Sequence, residues 1–181
     1  MDKTKNDIQL ITKSVKKVYH KDMIDFHKHY NLATRNGDPG IIWDFINTNI
    51  ENNFERDIYK ILLVKRGYWD QIVVYNICDQ IVYFVMRESR YKDVKKDKKR
   101  KNLHLIQILG SINEKDKSEA SEVLKQKLPE YISKAKEFIL ITYEYNENSD
   151  KCDFIGRKIT SKFKCSYEDN LNNDLDIEEV N

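Results

Sequence analysis

The sequence predicts an α+β fold, an antiparallel sheet of about five strands with helices packed on one face. Two observations lead there. Strand-like runs come in consecutive groups, a three-stranded meander over 57–87 and a C-terminal hairpin over 138–163, instead of alternating with helices. The connections inside the meander are also too short for a crossover, which calls for antiparallel pairing.

Each element follows from its residues. Thr4 followed by Asp7 has the form of a helix start. Ile8, Ile11, Val15, Val18, Tyr19, Met23, Phe26 and Tyr30 then recur near the helical period, predicting a long amphipathic helix over 5–30. Asn36-Gly37-Asp38-Pro39-Gly40 is a turn cluster. A second helix is expected over 40–53, with Trp43, Ile46 and Ile50 on one face.

The meander is the plainest part. Residues 58–64 (IYKILLV), 71–77 (QIVVYNI) and 80–86 (QIVYFVM) are β-branched and aromatic. Lys65-Arg66-Gly67-Tyr68 and Cys78-Asp79 supply the turns. The basic run 87–101 (RESRYKDVKKDKKRK) opens a helical segment, and Leu105, Ile108, Leu109 and Ile112 continue at helical spacing. Residues 118–136 are helical by pattern, interrupted at Pro129, which lacks the N–H a helix needs. FILITYEY (138–145) and FIGRKITSKF (154–163) form the closing hairpin, and 166–181 is expected to be a mobile acidic tail behind a single domain spanning 1–165.

Composition limits the function classes. Lysine outnumbers arginine 25 to 7, and 21 Ile and 16 Asn accompany them, the amino-acid usage of an A/T-rich gene of low-GC bacterial or phage type. Three cysteines, Cys78, Cys152 and Cys165, have no CxxC spacing and read as free thiols of a reducing compartment. No signal core and no run of 18 apolar residues is present, so the expectation is a cytoplasmic protein with no membrane partner. The net charge of +2 hides a segregation. Residues 87–101 hold nine basic and three acidic side chains, whereas 166–181 hold six acidic and none basic.

No motif fixes a chemistry. GxGxxG and GxxxxGK[ST] are missing, which argues against dinucleotide and ATPase readings, and no cofactor or metal is called for. His27 and His29, two apart on a helix, point different ways and make a poor metal pair; His20 and His104 are solitary. A weak nuclease-like pattern, an Asp at one strand and a hydrophobic strand ending in Glu-x-Lys, is approached by Asp70 and by Glu88-Ser89-Arg90, with Glu51 or Glu55 as a helical carboxylate. Arg90 in place of lysine weakens it, because arginine stays protonated.

The basic run has a clearer physical meaning. Arg66, Arg87, Arg90, Lys92, Lys95, Lys96, Lys98, Lys99, Arg100 and Lys101 are the residues expected to neutralise phosphates, with Tyr68, Trp69 and Tyr91 stacking on unpaired bases. The competing account is a solvated lysine-rich helix.

From Gly40 to His104 the chain resembles a bacterial family of unknown function found in Firmicutes and their phages. The resemblance is carried by Trp43-Asp44 with Asn47-Thr48, Lys65-Arg66-Gly67 with Trp69, Met86-Arg87-Glu88 with Arg90-Tyr91, and His104. It implies no activity, but it marks the point where the second helix meets the meander.

Three functions are therefore expected in order: a nucleic-acid-associated accessory protein of phage or mobile-element origin with DNA or RNA as partner; a non-catalytic module that binds a host protein through a sheet face or the acidic tail; and a metal-dependent nuclease.

Overall fold

The computed structural model describes residues 3–66, 69–97, 103–114 and 128–174. Six strands form one sheet in sequence order: β1 (Tyr59–Arg66), β2 (Trp69–Asn76), β3 (Ile81–Arg87), β4 (Glu137–Asn146), β5 (Lys151–Ile159) and β6 (Cys165–Asn170). All neighbours are antiparallel except the central pair β3–β4, which runs parallel from Ile81↔Glu137 to Arg87↔Tyr143. The sheet is thus mixed. Two antiparallel meanders are joined through a parallel seam, and parallel strands require a long crossover between them.

That crossover contains α4 (Glu88–Lys96), α5 (Leu105–Gly110), a 3₁₀ turn (Ser111–Asn113) and α6 (Glu130–Ser133). Pro129 caps α6, which ends at Ser133, short of the 136 expected; residues 118–127 of the expected helix lie outside the described residues. The N-terminal helices are α1 (Lys3–Lys17), a π-helical turn (Val18–Asp22), α2 (Met23–His29) and α3 (Asp38–Asn53).

Helices cover both faces of the sheet, not one. Val73, Tyr75, Val82, Phe84, Phe138 and Leu140 pack with α4, α5 and α6, while Ile72, Val74, Tyr83, Val85, Ile139 and Ile141 pack with α1 and α3. Adjacent residues of one strand point to opposite faces, so burying both faces demands an unbroken apolar run. β3, with IVYFVM buried throughout, has one. In the described core both faces of β3 and β4 are thus covered by helices.

Two further departures from the sequence reading have local causes. The long N-terminal helix is interrupted by the π turn, where Asn49 of α3 packs in and donates to the Ser14 carbonyl (3.3 Å) and the Asp22 carboxylate (2.6 Å). The segment expected as mobile tail contributes β6, paired to β5 from Ile155↔Asn170 to Ile159↔Cys165, and a 3₁₀ turn (Leu171–Asp174). Residues 175–181 lie outside the described residues. Gly110 is required where α5 meets the end of β5: a Cβ there would lie 2.7 Å from the Thr160 carbonyl carbon. No helix among the described residues is long and apolar enough to cross a membrane.

Candidate nucleic-acid interface

The site begins where the sheet splits. β2 pairs with β3 only from Val73↔Phe84 to Asn76↔Ile81, yet β2 follows β1 back to Trp69 and β3 follows β4 on to Arg87. Between the two diverging ends, α3 reaches in. The Trp43 indole N–H and the Asn47 amide both donate to the Asp70 carbonyl, at 2.7 and 3.1 Å. Trp43 therefore tethers α3 to the start of β2.

The split leaves a cleft of about 480 Å³ lined by Trp43, Gln71, Met86, Arg87, Arg90 and His104, among others. A second hollow, of about 370 Å³, shares Pro39, Arg87, Ser89 and Tyr143 with it and adds Tyr19, Arg35 and Tyr145. Arg87 lines both. Both lie at the carboxyl ends of the parallel strands β3 and β4, where open sheets with a parallel core characteristically hold ligands. His104 caps α5, accepting the Ile106 N–H on Nδ1, while its own N–H donates to Gln107. Trp43, Arg87, Arg90 and His104, all residues of the family resemblance, thus converge from four elements.

Arg87 leaves β3 on the face of Tyr143, and its Nε lies 3.4 Å from the Tyr143 hydroxyl. Tyr19, set on the π turn, stacks on Tyr145 at 4.2 Å between ring centroids and stands 6.1 Å from Tyr143. Burial pushes the Tyr19 and Tyr143 phenols well above their ordinary range, so both stay neutral at physiological pH.

The arginines divide sharply. Among the described residues Arg35, Arg87 and Arg90 have no carboxylate within ion-pair distance, and all three line these hollows. Arg56 and Arg157, by contrast, are paired with Glu51 and with Glu88 and Glu168, and neither lines them. In a chain that uses lysine by default, an arginine marks a place where the planar, multiply donating head is needed. That ratio was the available signal for Arg35 and Arg157, both missed by motif reading.

α4 extends the cationic surface. Its Glu88, Tyr91 and Val94 are buried, and Arg90, Lys92, Lys95 and Lys96 face outward. Lys92 lies 3.6 Å from Glu88, and the Lys95 ammonium 5.8 Å from the Tyr91 ring centre. The described helix ends at Lys96. Lys98, Lys99, Arg100, Lys101 and Tyr68 lie outside the described residues, as do the side chains of Arg66 and Trp69.

Two expectations are corrected. Tyr91 is buried beneath the Arg157 guanidinium, 4.8 Å above its ring, and offers no face to a base. Glu88 is no open strand-end carboxylate. Its two oxygens receive Arg157 Nη1 at 2.7 Å and Nη2 at 3.1 Å, and Thr142 and Glu168 complete the guanidinium's shell. Burial raises the Glu88 carboxyl, but the hydrogen bonds from Arg157 and Thr142 and the guanidinium charge outweigh it and leave it below the usual range. Asp70 is exposed, Glu51 pairs with Arg56, and no group of three or more His, Cys, Asp or Glu among the described residues is arranged to hold a metal ion. The carboxylates of the nuclease-like pattern do not assemble.

Comparison with known proteins gives one match. A model of a family of unknown function, DUF5986, matches residues 2–170. The chain belongs to this family. The DUF5986 match reaches well beyond 40–104: it takes in α1, the π turn that carries Tyr19 to the second hollow, and all of β6, so the complete sheet described above lies within the DUF5986 match. No curated protein and no solved structure matches the chain.

Proposed function

We propose that this chain is a non-catalytic, cytoplasmic nucleic-acid-binding protein that holds a single strand across the Arg87 cleft and along the outer face of α4. The observation that carries this reading is that Arg35, Arg87 and Arg90, with no carboxylate within ion-pair distance among the described residues, line adjoining hollows whose walls also carry Asp38, Asp93, Glu144 and Glu147. A guanidinium without an ion-pair partner keeps its planar set of donors for a phosphate, which it binds through charge-assisted hydrogen bonds. Lys92, Lys95 and Lys96 add a backbone track. The half-buried ring of Trp43 in the cleft wall supplies a π surface for an unpaired base. Amino-acid usage of the low-GC type fits an accessory protein of phage or mobile-element origin.

Titration of labelled single-stranded DNA, single-stranded RNA and a duplex at two salt concentrations tests the proposal. The expected result is salt-sensitive binding that is tighter for a single strand than for the duplex. Absence of salt-sensitive binding to all three would remove it.

A further inference from the structure

The two edges of the sheet are guarded unequally. Edge strands expose a row of unpaired backbone groups, and proteins blunt them with short length, charge or bulges. β6 has all three: six residues, a register shift at Lys158/Ile159, and Glu168 and Asp169 in its sequence. β1 is eight residues long and pairs without a register break along its whole length with β2. Its centre, Ile61-Leu62-Leu63-Val64, is apolar, and Leu63 is 50% exposed.

The outward-facing groups can be named. The Ile58 carbonyl accepts from the Ile77 N–H, so this residue pair bonds inward. In an antiparallel ladder the bonding direction alternates residue by residue. Lys60, Leu62 and Val64 therefore bond to β2, and Ile61, Leu63 and Lys65 turn N–H and C=O to the open side.

We infer that β1 is a docking edge for an extended strand of a partner protein, apolar at its centre and acidic at both ends. Ile61, Leu63 and Lys65 supply the main-chain bonds, as in β-strand addition. The apolar centre meets Leu62 and Leu63. Lys60 and Lys65 are exposed at the two ends of this stretch and select carboxylates; Lys60 also lies 4.5 Å over the Tyr131 ring. A second copy satisfies the two lysines less well. Pairing through the outward groups sets Leu63 against Leu63 and Ile61 against Lys65, and because β1 (YKILLVKR) holds no carboxylate, no register of two β1 strands gives Lys60 or Lys65 an opposite charge. This surface is separate from the Arg87 cleft.

The test uses the full chain and a labelled hexapeptide, acetyl-Glu-Val-Ile-Val-Thr-Glu-amide, beside a version with lysine at both ends. Binding of the acidic peptide at least tenfold tighter, with slowed amide exchange at Ile61, Leu63 and Lys65, is the expected result. Leu63→Pro removes an outward N–H without touching the β1–β2 ladder, a position where edge strands accept proline. It should weaken peptide binding at least tenfold while leaving the melting temperature and nucleic-acid affinity close to the parent's. Should that variant not fold, Lys60→Glu with Lys65→Glu should reverse the peptide preference. Equal affinity for both peptides, retained binding in folded Leu63→Pro, or unchanged preference in the charge-reversed variant would overturn the inference. A dimer that forms without peptide and is lost in Leu63→Pro would also overturn it, assigning the edge to a second copy.

Discussion

Arg87 and Glu88 are neighbours in sequence and opposites in environment. Arg87, at the end of β3, shares a face with Tyr143 and opens into the cleft with no carboxylate partner among the described residues. Glu88, the first residue of α4, turns to the other face and is closed into a bidentate pair with Arg157, itself 5% exposed. One short motif thus holds two devices. The closed pair fixes where α4 leaves the sheet; the open guanidinium is what that position presents. Conversely, a charge that is satisfied within the fold cannot be recruited by a ligand without breaking the fold, which is why Glu88 is a poor candidate metal ligand, whereas the proposal gives Arg87 to a phosphate.

The largest expected effect tests the closed half. Glu88→Ala leaves Arg157 buried with Glu168 as its remaining carboxylate and should cost about 3–5 kcal/mol of stability in urea denaturation. A loss below about 1 kcal/mol would mean that α4 is anchored by Tyr91 and Val94 alone. A related effect is its pH dependence. The Glu88 carboxyl sits below its ordinary value of 4.5 in the folded state, so its contribution is complete above that value and is lost as pH falls through the lower, folded one. Acid unfolding of the parent should therefore include a component that Glu88→Gln lacks.

The open half should respond in the other sense. Arg87→Ala is expected to weaken single-strand binding about tenfold, close to 1.4 kcal/mol, with little change in melting temperature. Smaller still, Lys92→Ala, Lys95→Ala and Lys96→Ala should each lower affinity a few-fold and make the salt dependence shallower by about 0.7. Loss of stability in Arg87→Ala equal to that in Glu88→Ala would collapse the distinction between the two halves.

The parts legible in the sequence were those with local causes. The meander follows from β-branched runs and short turns, and β1, β2 and β3 lie within two residues of where periodicity places them. The second covering layer also had a signal, since a run such as IVYFVM leaves no polar face for solvent. β6 had none: CSYEDN is mostly exposed and shows no alternation, and it is a strand because β5 offers it an edge. The parallel seam is equally non-local, linking Arg87 to Tyr143 across 56 residues. The same distance explains the site. Arg87 and Arg90 stand out within one basic run, but nothing local signals the burial of Glu88 and Tyr91, because Arg157, 69 residues beyond Glu88, is the partner that closes over both. Arg35 and Tyr19 reach the second hollow only through the packing of the N-terminal helices on the sheet.

The central claim is that Arg35, Arg87 and Arg90 act together on a nucleic-acid backbone. The most direct measurement compares the salt dependence of single-strand binding for the parent, the triple alanine variant of these arginines, and Arg56→Ala as a control that removes a paired arginine from outside the cleft. Three lost phosphate contacts should make the slope of log K against log salt shallower by about 2 in the triple variant, with the control unchanged. Identical slopes in all three proteins would contradict the account.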